Sequence, residues 1–279
     1  MSNNQNNDLR EKIKQSADFI NSKCSLSPQI GLILGSGLGE LGDEVQDKVI
    51  IPYKEIPNFP VSTAPGHAGN LVIGKLGDKN VVVMQGRFHT YEGYSQHQTT
   101  FPIRVMKAIG IHTLIVTCAT GGLNRNFKAG DLMIILDHIN FTGSNPLIGA
   151  NDPELGPRFP VMFNAYKKDL CNLAHKVALK EGIRLQEGVY FGITGPVFCT
   201  PAELRMAIKS GADSIGMSTV PEVIVAVHSG LKVLGIGNIT DMALPDAAHH
   251  ADEQEVLKTA KESGPTFRRL LKAILAEME

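Results

Sequence analysis

The 279-residue chain has no excess of either charge, little cysteine and no uninterrupted apolar run of membrane length. Its formal net charge is −1 and its pI about 6.8. With no basic surplus to draw in a polyphosphate backbone, nucleic acid is not expected as a partner. The four cysteines, Cys24, Cys118, Cys171 and Cys199, are widely spaced and form no C-x-x-C pair. That argues against a zinc cluster or disulfide framework and fits free thiols in a reducing cytoplasm. The most apolar late stretch, "VIVAVHSGLKVLGIGNI", is broken by His228, Ser229 and Lys232 short of spanning length, so no membrane partner is expected. The start, "MSNNQNNDLR", lacks the apolar run of a signal peptide. Residues 1–7 offer nothing to bury and are expected to fray as a disordered tail, leaving one domain over 8–279.

What is present is an alternation of strand-like and helix-like segments. Buried strands are expected at "QIGLILG", "NLVIGKL" (70–76), "VVVMQ" (81–85), "HTLIVTC" (112–118), "DLMIILD" (131–137), "GVYFGI" (188–193) and "LKVLGIGNI" (231–239). Helical patterns fall from Leu9 to about Lys23 and near 97–108, 166–181, 201–210, 220–229 and 252–277. Gly182 and Gly211 stand where helix C-caps are expected. Strands interleaved with helices predict an α/β fold with a mostly parallel or mixed central sheet.

Several strands end in polar or glycine-rich turns. After "VVVMQ", Gly86 releases the chain into Arg87, His89, Tyr91 and Glu92. Ligands in open α/β sheets bind just beyond the carboxyl ends of strands; read alone, the stretch is equally a surface loop with a salt bridge. "LILGSGLGELG" sets Gly37, Gly39 and Gly42 in G-x-G-x-x-G register. The proline-rich region that follows has no acidic residue after Glu55 where a dinucleotide fold wants one, so a Gly-lined turn with Ser36 remains, suited to a small anion. "STAPGHAG" carries His67 on a turn, and "IVTCATGGLN" ends a strand at Ala119, where small residues admit a ligand close to the backbone. "GMSTVPE" reads as a capping box with Thr219 as N-cap and Glu222 at N3, setting Ser218 at a helix N-terminus. "FCTPAE" repeats the device with Thr200 and Glu203, fixing Phe198 and Cys199 on the loop before a helix. These donors suit one phosphate-sized anion. There is no P-loop, and no aspartate pair suggests a magnesium cage.

"LGSGLG", "IPNFP", "APGHAGNLVIG", "QGRFHTYEGY", "GPRFP", "TPAE", "GMSTVPEVIVA" and "NITDMA" together resemble the trimeric-type purine nucleoside phosphorylases, from about Leu9 to Leu275. The resemblance implies one α/β domain with a partly barrel-like mixed sheet, assembly as a homotrimer, and transfer of a pentosyl group between a purine and inorganic phosphate. Phosphate is then a co-substrate, and no cofactor or metal is implied. Carried over by position, Ser36, His67, Arg87, His89, Ala119 and Ser218 surround phosphate, and Tyr91 and Met217 contact ribose. Glu92 orients His89, and Phe198, Cys199 and Asp241 face the base. Glu253 matches a 5′-hydroxyl contact, and Phe159 matches a residue lent by the neighbouring subunit. The implied catalytic set is His89, Glu92 and Asp241.

Three matched positions depart from the family. Glu is usual at Cys199, Asn at Asp241 and His at Glu253. A thiol is a weak acceptor for a base N1–H, and a carboxylate opposite a 6-oxo group faces acceptor with acceptor. The pattern therefore implies a base preference shifted toward 6-aminopurines, with 5′-methylthioadenosine phosphorolysis as an alternative. A nucleoside-binding relative with little turnover, and an NAD(P)-dependent oxidoreductase resting on the Gly37 register, are competing classes.

Overall fold

The computed structural model describes residues 2–64, 66–249 and 252–278, with side chains from residue 8 onward. In chain order the first half comprises α1 (Ser2–Lys23), β1 (Ile30–Leu34), α2 (Glu40–Asp43), β2 (Gln46–Pro52), β3 (Asn70–Leu76), β4 (Lys79–Gln85), α3 (Gln96–Ala108) and β5 (Thr113–Gly122). The second half runs β6 (Leu132–Asn140), α4 (Lys168–Lys180), β7 (Leu185–Gly192), α5 (Pro201–Lys209), β8 (Ser214–Gly216), α6 (Val220–His228), β9 (Lys232–Met242) and α7 (Glu253–Glu277). The tail expected over residues 1–7 falls outside the residues described with side chains.

The nine strands form one mixed sheet in the order β2-β3-β4-β1-β5-β8-β7-β6-β9. β9 also pairs with β5, so β5, β8, β7, β6 and β9 close into a barrel-like ring, and the rest extend from it as a curved wing. This is the α/β, partly barrel-like architecture expected. β4, β1, β5 and β9 are consecutive parallel neighbours, so their carboxyl ends emerge side by side.

Each of those strands contains an unbroken apolar run because helices or other strands cover both faces there. Val81, Val82 and Val83 of β4, Leu32 of β1, Leu114 to Val116 of β5 and Val233 and Leu234 of β9 are all fully buried. Burying one such side chain contributes roughly 1.5–3 kcal/mol, which fixes strand register before any polar group is placed. Helix ends follow local chemistry. Ser95 caps α3 and Thr200 caps α5, each reciprocated by the N3 side chain, Gln98 and Glu203. Gly182, at φ 64°, turns the chain out of α4 as its position predicted.

Two strands carry no clear sequence signal. β2, "QDKVIIP", lies at the sheet's edge, with only Ile51 buried. β8 has three residues, too few to show a period, and is held by β5 and β7 on either side. Among the described residues no helix is long and apolar enough to cross a membrane.

Candidate active site

The carboxyl ends of β4, β1, β5 and β9 open into one cleft, which also takes residues from the loops before α5 and α6. Ser36, His67, Arg87, His89, Tyr91, Ala119, Phe198, Cys199, Met217, Ser218 and Asp241 all line it. Glu92 stands behind His89. Glu253 is exposed at the start of α7, and Val256, three residues on, lines the cleft instead. Phe159 lies on the surface, 83% exposed, and does not line the cleft of its own chain.

Arg87 is the buried cation, 2% exposed. Its Nη1 donates to Ser218 Oγ at 2.9 Å and its Nη2 to the Thr117 carbonyl. Its Nε lies 3.2 Å from Glu222 Oε1 without hydrogen-bond alignment. Thr117 also ties down the neighbouring turn. Its hydroxyl accepts from Gly35 N at 2.9 Å and donates to the Ile33 carbonyl at 2.9 Å. One buried threonine of β5 thus joins the Ser36 turn, β5 and Arg87. Gly37, at φ 81°, lets that turn pack on α7, where a Cβ would stand 2.4 Å from the Ala260 carbonyl oxygen.

The imidazoles form a stack. His67 lies over His89 with centroids 5.3 Å apart, and His89 over Tyr91 at 4.6 Å, both pairs within 17° of parallel. His89 Nδ1 is 3.0 Å from Glu92 Oε1, which also accepts from His89 N at 2.8 Å. Glu92 Oε2 accepts from Thr63 N and Oγ1, each at 2.7 Å. Burial alone would raise the Glu92 carboxyl, but these bonds from His89 and Thr63 hold it down to about 2. Glu92 is therefore an anion that fixes the His89 ring and leaves Nε2 for the cleft. Burial, then the His89 and Arg87 charges, lower His67 to about 4, so it stays neutral near pH 7. Gly86, at φ 101°, admits this arrangement, since a Cβ there would lie 2.5 Å from His67 Cβ.

The α6 entrance corrects the sequence expectation. Thr219 does precede the helix, but with φ 68° and ψ −56° and no capping hydrogen bond. Its Oγ1 lies 3.2 Å from Ser218 Oγ, and Glu222 turns inward to Arg87 rather than back to the helix start. The pull of a buried guanidinium outweighs a cap worth about 1 kcal/mol. A β-branched residue at positive φ is strained, and such strain clusters at ligand sites. Here it sets Ser218 against Arg87, with Ser218 N 3.3 Å from Tyr190 Oη.

The opposite end of the cleft is apolar, lined by Ile193, Leu204, Ile215 and Ala243, with Phe198 half-exposed at its mouth. Burial, then Glu203, pushes the Cys199 thiol up, so it is neutral. The β5–β9 register slips between Thr120 and Gly121, because Thr240 is an extra residue on β9. Alternation is broken there, and Thr240 and Asp241 both line the cleft although adjacent in sequence. Asp241 is 8% exposed and accepts from Thr240 Oγ1 at 3.2 Å. Gly121 makes room, since a Cβ would sit 3.3 Å from Asp241 Oδ2.

No sequence motif marks Thr117, Glu222, Tyr190, Thr240 or Val256 for this cleft. The threonine inside "LIVTC" stands out in an apolar run; the others are placed by contacts between distant segments.

The phosphorylase superfamily model matches residues 29–276. The chain is 56% identical over 269 residues to purine nucleoside phosphorylase 1 of Geobacillus stearothermophilus, covering 96% of this chain and 98% of that protein. It is 45% identical over 275 residues to the purine nucleoside phosphorylase of Bos taurus, covering 96% and 95% of the two chains. The crystal structure of Schistosoma mansoni purine nucleoside phosphorylase in complex with adenosine superposes with a TM-score of 0.92 at 43% identity, over 96% of this chain and 98% of that one. The chain belongs to the phosphorylase superfamily, among its purine nucleoside phosphorylases.

Proposed function

We propose that this enzyme cleaves the N-glycosidic bond of purine ribo- and deoxyribonucleosides with inorganic phosphate, giving free base and pentose 1-phosphate. The observation that carries this reading is the division of one cleft. Arg87, Ser218, His89, Ser36 and Ala119 line one part of it, and Ile193, Leu204 and Ile215, with Phe198 and Asp241, line the other. The anion end has the donors for one phosphate: a guanidinium, hydroxyls and an oriented imidazole.

Held there, a phosphate oxygen bonds to the anomeric carbon as the bond from that carbon to the base nitrogen breaks. The bonding pair leaves with the purine, and a proton or strong hydrogen bond at N7 makes that departure easier. Phosphate is itself the nucleophile, so no covalent enzyme intermediate is required. Its negative charge also stabilises the positive charge growing on the sugar, and positioning and electrostatics supply the catalysis. In this reading Tyr91, Met217 and His67 border the ribose, Glu92 positions His89, and Asp241 is the candidate proton donor to N7.

The base end favours a 6-aminopurine. Cys199 is a neutral thiol and a weak acceptor, so an N1–H finds little there. Asp241 offers an acceptor suited to a 6-amino group and opposed to a 6-oxo group. Glu253, the matched 5′ position, is exposed, and Val256 lines the cleft at the α7 end, which supports 5′-methylthioadenosine as a second substrate. The exposed Phe159 supports a homotrimer in which each copy lends this ring to its neighbour's cleft. The free cysteines support a reducing, cytoplasmic setting.

A panel of adenosine, inosine, guanosine and 5′-methylthioadenosine, assayed with and without phosphate and with EDTA, tests the reading. Base release that depends on phosphate and survives EDTA is expected. Equal release in water alone, or EDTA inhibition reversed by magnesium, overturns it.

A further inference from the structure

Glu222 poses a question that the proposed reaction leaves open. Arg87 and Glu222 are 2% and 5% exposed, and Glu222 is the partner in the one ion pair Arg87 makes among the described residues. The pair is not a hydrogen bond: Arg87 Nε and Glu222 Oε2 are both buried without a hydrogen-bond partner. The guanidinium is oriented instead by Ser218 Oγ and the Thr117 carbonyl, neither of which is charged. Geometry therefore does not require the carboxylate. What it supplies is charge.

The groups packed around the pair cannot supply that charge. Tyr53, Cys118 and Tyr190 are neutral, with burial pushing each of them up, Cys118 to about 11. A guanidinium out of water with no counter-charge is strongly destabilising. A phosphate dianion would neutralise Arg87 when bound, but the empty enzyme must fold without it.

We propose that Glu222 is the resident counter-ion of Arg87, stabilising the empty cleft and competing with phosphate for the same positive charge. The proposal rests on the phosphate-site reading above and deepens it. Glu222 is an affinity-setting residue that acts through the charge on Arg87 and does not touch substrate. It weakens phosphate binding in return for a stable empty enzyme, and it eases departure of pentose 1-phosphate by the same competition. Stability of the empty site and affinity for phosphate are thus coupled through one carboxylate.

The test compares wild type, Glu222→Gln and Glu222→Asp. Melting temperature is followed against inorganic phosphate, and KM for phosphate is measured separately from KM for nucleoside and from kcat. Glu222→Gln keeps the shape and removes the charge. It is expected to melt lower without phosphate, to gain more than wild type on adding phosphate, and to show a phosphate KM roughly five- to tenfold lower. Glu222→Asp keeps the charge and should hold the phosphate KM within about twofold of wild type. Equal phosphate responses in wild type and Glu222→Gln, or equal changes in the Gln and Asp variants, overturn the proposal. If Glu222→Gln does not fold, the double variant Arg87→Met/Glu222→Leu decides. Recovery of folded protein supports a counter-ion role, and failure to recover it overturns that role. A wild-type enzyme with no response to phosphate would instead remove the phosphate-site reading itself.

Discussion

The His67 imidazole lies face to face with that of His89, centroids 5.3 Å apart and planes 17° from parallel. Both rings cannot carry charge cheaply at that distance, and burial and the His89 and Arg87 charges hold His67 at about 4 against an ordinary 6.5. Between those values the unfolded chain binds a proton at this residue that the folded chain refuses. Stability therefore falls as pH drops from 6.5 to 4, by about 3 kcal/mol if His67 acts alone. His67→Gln should flatten the stability profile in that window, measured by denaturant unfolding at pH 7, 5.5 and 4. Glu92, held at about 2, is lost lower: its contribution is present above its ordinary 4.5 and fades as pH falls toward 2. That lower limb should persist in the His67 variant. An unchanged slope between pH 6.5 and 4 would show that His67 is not the titrating group.

Arg87→Ala should lose roughly 2–4 kcal/mol of transition-state stabilisation, the range for removing a preorganised donor to an anion. The loss should appear in kcat/KM for phosphate with the nucleoside saturating. A drop confined to nucleoside KM would place phosphate elsewhere.

Thr117→Val removes the acceptor of Gly35 N and the donor to the Ile33 carbonyl while keeping the volume. Leaving a buried N–H unpaired should cost about 1–3 kcal/mol of stability. Because the Ser36 turn hangs from that bond, phosphate KM should rise as well. Chemical denaturation together with steady-state kinetics checks both, and a stability change without a kinetic one would detach the turn from the anion site.

Asp241→Asn removes the carboxyl at the base end, both the acceptor for a 6-amino group and the candidate proton donor to N7. Adenosine turnover should fall more than inosine turnover, so that the ratio of the two kcat/KM values shifts toward inosine. A wild-type enzyme that prefers guanosine and ignores both adenosine and 5′-methylthioadenosine would refute the assignment of Asp241 as a 6-amino acceptor.

Phe159→Ala should raise nucleoside KM with little effect on melting temperature, because the ring is largely exposed in its own chain, with Arg158 over its face. Light scattering at assay concentration should give three chains per particle. An active monomer contradicts the shared site.

Much of this protein was decided locally and so could be read from the sequence alone. β3 (70–76) matches the apolar run that predicted it, and β1, β4, β5, β6, β7 and β9 lie on theirs, because a stretch of strand buried on both faces is apolar residue after residue. The Thr200 cap and the Gly182 exit are fixed by neighbours within a few residues. The polar turn that carries Arg87 and His89 at the end of a buried strand is likewise visible in the sequence, although read alone it is equally a surface loop. Tertiary structure decided what depends on distant partners. The pattern that made Glu222 a helix cap was real, but a buried guanidinium from the end of β4 claimed its carboxylate. The Thr240 bulge, which turns Asp241 into the cleft, exists only in the pairing of β9 with β5. β8 is three residues held between two strands, and Val256 reaches the cleft because Gly37 lets α7 pack against the Ser36 turn. Periodicity and capping are short-range effects that a sequence displays directly. Ion pairing in the interior, barrel closure and register slips depend on which segments meet, and only the folded chain brings them together.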